Sequence, residues 1–188
     1  MIKSYNEMKA YIKKDLRALG YGKSIFPMTL SEVNGIKFFL VLLRTCEYLK
    51  NTKNYFLFIP FRVIFRRVAL SLGFSIPLNV CGPGLSLPHV GPVIVNGSAI
   101  IGTNVRIHSC VVIGGTDEGA PRIGNNVYIG PGAKIYGRIT IGDNVKIGAN
   151  AVVNKDFDSN SIVGGVPARV IRHTLVEHNS VSSLHETE

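Results

Sequence analysis

From residue 95 the chain reads VNGSAI IGTNVR IHSCVV IGGTDE (95–118), breaks at GAPR (119–122), and resumes as IGNNVY IGPGAK IYGRIT IGDNVK IGANAV VNKDFD (123–158). Every block of six opens with Ile or Val, at 95, 101, 107, 113, 123, 129, 135, 141, 147 and 153. Gly follows in six of the ten blocks, and Ala, Val or Ile holds the fifth place in eight. A period of six matches neither the 3.6-residue turn of a helix nor the two-residue alternation of an ordinary strand.

The period does fit a triangular prism of short parallel strands. One large aliphatic per block points to the axis, a small residue turns the corner, and Gly or Asn supplies backbone angles that other residues resist. Three blocks close one coil, and coils stack at the ~4.8 Å strand spacing, so inner strands are hydrogen-bonded on both sides. The expected fold is therefore an all-β main domain, a hexapeptide parallel β-helix. Two departures mark where chemistry is expected. The excursion at 119–122 must leave a corner as a loop, and loops on rigid scaffolds commonly carry sites. Upstream, CGPGLS (81–86) reads as a block and Leu87 opens another, but the next opener, Val95, comes eight residues later instead of six. His89 sits in that irregularity, flanked by Pro88, Gly91 and Pro92.

The remainder of the chain bounds the class. With 188 residues, 46% hydrophobic and 18% charged, it can bury a sizeable core and is not a disordered chain. Cys46, Cys81 and Cys110 are odd in number with no CxxC spacing, which argues against a disulfide framework or thiolate zinc site and for a reducing compartment. The charged start, MIKSYNEMKAYIKKDLRAL, lacks the apolar core of a signal peptide, and no apolar run approaches the ~18 residues of a spanning helix; a cytoplasmic location is expected. The net charge of +9 lies wholly in residues 1–72, with thirteen Lys/Arg against four Asp/Glu. No nucleic-acid motif accompanies it, so nucleic acid is not an expected partner. The basic residues interleave with large apolar ones in FLFIPFRVIFRRVALSLGF (56–74), leaving two readings open: a helix on the inner face of an anionic membrane, or one packing its apolar stripe on the protein with arginines in water. The expected organisation is a basic helical segment (1–73), the β-helix (74–172) and a polar tail (173–188).

The repeat, together with IPLNVCGPGLSLPH (76–89), VIVNGSAIIG (93–102), VVIGGT (111–116), Pro121-Arg122-Ile123, KIGANAVV (146–153) and GGVPARVIR (164–172), resembles the hexapeptide acyltransferases, most closely the serine acetyltransferase branch. The resemblance implies a left-handed winding, a homotrimer, acetyl-CoA as co-substrate in grooves between neighbouring prisms, and His89 as the catalytic base. It implies cofactor contacts at Pro131, Ala149, Asn154, Lys155, Arg169 and Arg172, the basic three of which suit CoA phosphates. Chemistry supports the base: transfer from a thioester to an alcohol needs a group that takes a hydroxyl proton near pH 7, and a neutral imidazole with pKa near 6.5 does so. His108 occupies the second place of its block, facing outward, and is a candidate substrate contact with Asp117 and Glu118. Asp15, Asp117 and Glu118 are the carboxylates considered for orienting His89. His173, His178 and His185 lie at or beyond the end of the repeat, so a three-histidine metal site within the coils is not expected. Cys110, fourth in IHSCVV, reads as a strand or corner residue, not a nucleophile.

Departures from that branch set the expected acceptor. Two aspartates that serine acetyltransferases use fall on Phe74 and Pro88, and their carboxylate-binding Arg-His pair is replaced by Gly119-Ala120. An unpaired substrate carboxylate costs several kcal/mol. The expectation is therefore a sugar hydroxyl of a surface polysaccharide or its precursor, with the serine O-acetyltransferase of cysteine biosynthesis as the alternative.

Overall fold

The computed structural model of the protein describes residues 1–20 and 32–174, so His178 and His185 lie outside the described residues. Among the described residues three helices come first, α1 (Tyr5–Ala18), α2 (Glu32–Asn51) and α3 (Tyr55–Leu72). Ser4 caps α1: its hydroxyl accepts the Glu7 N–H while the Glu7 carboxylate accepts the Ser4 N–H, satisfying two end groups at once. The main-chain N–H groups of Lys3 and Ser4 also hold the Glu7 carboxyl below its ordinary pKa. α3 ends at Gly73, in the left-handed conformation at φ +78°.

Thirteen strands follow among the described residues: β1 (Phe74–Ser75), β2 (Val93–Val95), β3 (Ile100–Ile101), β4 (Arg106–Ile107), β5 (Val111–Gly114), β6 (Arg122–Ile123), β7 (Tyr128–Ile129), β8 (Lys134–Tyr136), β9 (Thr140–Ile141), β10 (Lys146–Ile147), β11 (Val152–Val153), β12 (Ser161–Gly165) and β13 (Ala168–His173). They form the three walls of a prism. Face A runs β1-β2-β5-β8-β11, face B runs β3-β6-β9, and face C runs β4-β7-β10-β12-β13, parallel throughout except that β13 returns antiparallel on β12. All ten block openers are buried, as are the eight aliphatic fifth-place residues. The sequence period is thus the inward-facing set of the prism, a left-handed hexapeptide β-helix.

Between faces B and C the chain never changes length. Cys81 to Ser86, Ile101 to Arg106, Ile123 to Tyr128, Ile141 to Lys146 and Phe157 to Ile162 are each five residues apart. Asn104, Asn126, Asn144 and Asn160 stack at this corner with φ of +55° to +61°. Their side-chain amides form a ladder, each Nδ2 donating to the Oδ1 of the next at 2.9–3.1 Å.

Every change of length flanks face A. Leu87 to Val93 takes six residues where Ile107 to Val111 takes four, the expected two-residue gain around His89. Ile113 to Ile123 takes ten where Ile135 to Ile141 takes six. The excursion is a turn over residues 115–121, closed by paired backbone hydrogen bonds between Thr116 and Gly119. Val153 to Phe157 takes only four residues, which corrects the last block, VNKDFD: Phe157, two places early, fills the interior beside Ile141.

A buried charge cluster seats the helices on the first coil. Arg44 donates from Nε to Asp15 at 2.7 Å, from Nη1 to Glu47 at 2.9 Å, and to the carbonyls of Cys81 and Gly82 at 2.8 and 2.7 Å. Asp15 Oδ1 accepts the N–H groups of Gly84 and Leu85 at 2.6 and 2.9 Å. Burial opposes the Arg44 charge, and Glu47 with Asp15 more than offsets it, so the guanidinium stays charged. Asp15 is therefore fully engaged here and does not orient His89, correcting one expectation. Phe74 is also spoken for: it is buried edge-on to Phe39 at 5.0 Å, with Phe39 stacked on Phe65 of α3 at 5.3 Å. Among the described residues no helix is long and apolar enough to cross a membrane.

Candidate active site

The extra two residues at the corner from face C to face A push His89 out of the wall. It is exposed, while Leu87 just before it is buried in the prism and Gly91 just after it takes φ +126°, a conformation L residues resist. On the next coil, at the same corner, His108 places its ring 5.7 Å from that of His89 and 5.0 Å from that of Tyr128. Arg106 Nε donates to His108 Nε2 at 3.3 Å. His108, half-buried, therefore accepts through Nε2 and in its neutral form carries its proton on Nδ1. Burial first, then the charge of Arg106 and the neighbouring His89, hold its pKa below the ordinary histidine value. The row His89, His108, Tyr128, Arg106 thus sets an exposed imidazole beside a second imidazole whose charged form is disfavoured and a guanidinium.

The other expected residues divide between corners. Pro131 and Ala149 lie on the same corner as His89, on the succeeding coils, both exposed. Asn154 and Lys155 lie at the shortened corner from face A to face B, below the 115–121 turn, and the Lys155 ammonium sits 5.6 Å over the Phe157 ring. Asp117 and Glu118 are exposed on that turn; Glu118, Gly119, Ala120, Arg122 and Arg138 line a shallow depression there. Asp117 and Glu118 are therefore carried by the corner across face A from His89, not by its own. Arg169 and Arg172 stand exposed on β13, opposite Gly164 and Ile162. Cys110 is exposed in a corner at φ +63°, as the repeat implies. Cys46 and Cys81 are buried, and burial pushes their thiols up to about 11 and about 12. Among the described residues no group of His, Cys, Asp and Glu is arranged to hold a metal ion.

Arg106 is the site residue that sequence reasoning missed. Its signal was present: it precedes His108 by two places, the spacing that puts neighbouring side chains on one side of an extended chain. It went unread because it holds the outward sixth place of its block, where charged residues such as Lys134 and Lys146 also stand.

The comparisons with known proteins agree with this fold. The bacterial transferase hexapeptide (six repeats) model matches residues 120–155. Over 171 residues, 86% of this chain and 64% of the relative, the sequence is 32% identical to a serine acetyltransferase of Buchnera aphidicola. Over 94 residues, 48% of this chain and 38% of the relative, it is 42% identical to a serine acetyltransferase of Synechococcus elongatus. The structure of serine acetyltransferase from Brucella abortus superposes with a TM-score of 0.69 at 29% identity, covering 90% of this chain and 71% of that one. The matched part of the chain spans less than two thirds of the length of these curated relatives. The chain is a hexapeptide-repeat protein that resembles the serine acetyltransferase branch. These likenesses overturn the expected sugar acceptor: the relatives in sequence and in structure are serine acetyltransferases. Phe74, Pro88 and Gly119-Ala120 mark only charges that are absent at positions carried over from the resemblance, and those absences do not specify the acceptor.

Proposed function

We propose that the chain is an acetyl-CoA-dependent acetyltransferase whose acceptor is the hydroxyl of L-serine, with His89 as general base. The observation that carries this reading is the likeness to a serine acetyltransferase over 86% of the chain, a span that runs through the His89 corner. In this reading the serine hydroxyl gives its proton to the His89 imidazole, and its oxygen bonds to the thioester carbonyl carbon. The CoA thiolate then leaves and takes up the proton that His89 holds. Arg106 takes the serine carboxylate. Its Nε is spent on His108, and among the described residues no side chain engages its two Nη groups, which leaves a charged donor edge beside the base. His108 and Tyr128 complete the wall of the acceptor site.

The assembly we propose is a trimer built through face A. The outward residues of this face are Ser75, Ile94, Val112, Lys134 and Val152, the most apolar of the three outer columns. Turning face A inward brings the His89 corner of one copy toward the 115–121 corner of the next. A groove between them would take acetyl-CoA along Pro131 and Ala149 of one wall and Asn154 and Lys155 of the other, with Arg169 and Arg172 on the phosphates. Residues 74–172 then form the catalytic prism and 1–73 its helical seat.

Steady-state thiol release with L-serine and with serinol, which lacks the carboxylate, tests the reading. L-serine should be the better acceptor, and His89→Ala should lose ~10²–10⁴ in kcat/KM. Arg106→Gln should raise KM for L-serine and leave serinol turnover unchanged. Absence of L-serine turnover by the wild-type protein would overturn the acceptor; unchanged KM in Arg106→Gln would overturn only the role of Arg106.

A further inference from the structure

α3 carries two apolar faces, and among the described residues only one of them is packed. Phe65 and Ala69 are buried and Phe58, Phe61, Val68 and Leu72 pack against the same core, which accounts for one side of the helix. Phe56, Ile59, Val63 and Leu70 follow at i, i+3, i+7 and i+14, a spacing that sets them in one stripe opposite that core. They are 88%, 63%, 51% and 71% exposed, a concentration of large apolar surface that a free helix face does not ordinarily show. Arg66 and Arg67 are exposed on either side of the stripe, and Lys50, in the last turn of α2, and Lys53, in the turn before α3, are exposed as well. From Tyr48 to Thr116 the chain contains no Asp or Glu.

We propose that this outer face of α3 docks on the surface of an anionic phospholipid bilayer, lying in the headgroup plane without crossing it. The charge pattern selects the occupant. A second copy laid on the stripe about a two-fold axis would bring arginines toward arginines with no carboxylate in the segment to relieve them. A bilayer of anionic lipid supplies phosphates to Arg66 and Arg67 and an apolar layer to Phe56 and its neighbours. The inference is independent of the acceptor, since the face lies on the helical segment and shares no residue with the His89 corner.

Co-sedimentation of the full chain with vesicles tests it. Binding to phosphatidylglycerol vesicles should exceed binding to phosphatidylcholine vesicles at least tenfold and should collapse in high salt. The double substitutions Arg66→Glu with Arg67→Glu, and Phe56→Ser with Leu70→Ser, should each abolish it, with unchanged circular dichroism. These four side chains are exposed, so the fold does not depend on them. Equal binding to both vesicle types, or full binding by the folded variants, would overturn the proposal. So would a change in oligomeric state of the wild type against Phe56→Ser with Leu70→Ser, by light scattering without lipid, which would assign the stripe to a second copy. Failure to bind any vesicle while retaining an acidic polypeptide would assign it to a protein partner and equally overturn the proposal.

Discussion

The corner between faces B and C and the two corners that edge face A are built from the same repeat, yet they behave oppositely. At the first, five residues separate the walls on every coil, and asparagines at positive φ join coil to coil through their amides. At the other two, coils differ in length, and the three largest changes, a gain of two residues, a gain of four and a loss of two, coincide with candidate chemistry: His89, the 115–121 turn, and Asn154 with Lys155. The difference is one of satisfaction. The asparagine corner uses both its backbone conformation and its side chains on the neighbouring coils, so a length change there would break bonds above and below. The corners along face A put their extra residues into solvent, where they cost little and can meet a ligand.

The sharpest way to break that contrast is to lengthen each kind of corner equally. Inserting Gly-Ser after Asn126 should cost on the order of 4 kcal/mol, at the upper end of ordinary single-site effects, because the ladder and two wall registers are displaced. The same insertion after Asp117 should cost under ~1 kcal/mol, since loop-closure entropy grows slowly with length. Urea denaturation gives both values, and equal shifts would dissolve the distinction. A smaller effect separates backbone from amide. Asn126→Ala should cost about 2 kcal/mol, combining a left-handed backbone position with lost hydrogen bonds. Asn126→Gly should cost less, since it keeps the conformation and loses only the ladder; identical losses would mean that the φ requirement contributes nothing. The smallest effect is in pH. His108 has a depressed folded pKa, so its contribution to stability is whole above the ordinary value near 6.5 and is lost as pH falls below that. His108→Asn should therefore show a shallower stability loss between pH 7 and 5.5 than wild type, and Asn126→Ala an unchanged one; parallel curves for His108→Asn and wild type would remove His108 from the account.

What could be read in advance follows the same division. Val95, Ile101 and the eight later openers declare the prism because each contact they make is with a residue one coil away, and a local period records it. The two-residue gain at 88–95 was visible for the same reason. The shortening before Phe157 was not, because a phenylalanine two places early looks like the end of a repeat until the wall is seen to continue. The engagement of Asp15 was out of reach, since its partners Arg44, Gly84 and Leu85 lie 29, 69 and 70 residues away. At the candidate site, His89 was legible as an irregularity, while Arg106 was hidden as one charged residue among many on outward positions. The sugar acceptor rested on charges missing at Phe74, Pro88 and Gly119-Ala120, and missing charges do not specify what an acceptor site binds.

The Arg44 cluster bears on the order in which the chain is made. Arg44 and Asp15 leave the ribosome before any of the main-chain groups at Cys81, Gly82, Gly84 and Leu85 that complete their hydrogen bonds. Two charges cannot be taken out of water until those partners arrive. The nascent helical segment therefore waits, its ion pair still hydrated, until the first coil has emerged. The helical segment is thus completed by a coil that follows it in the chain.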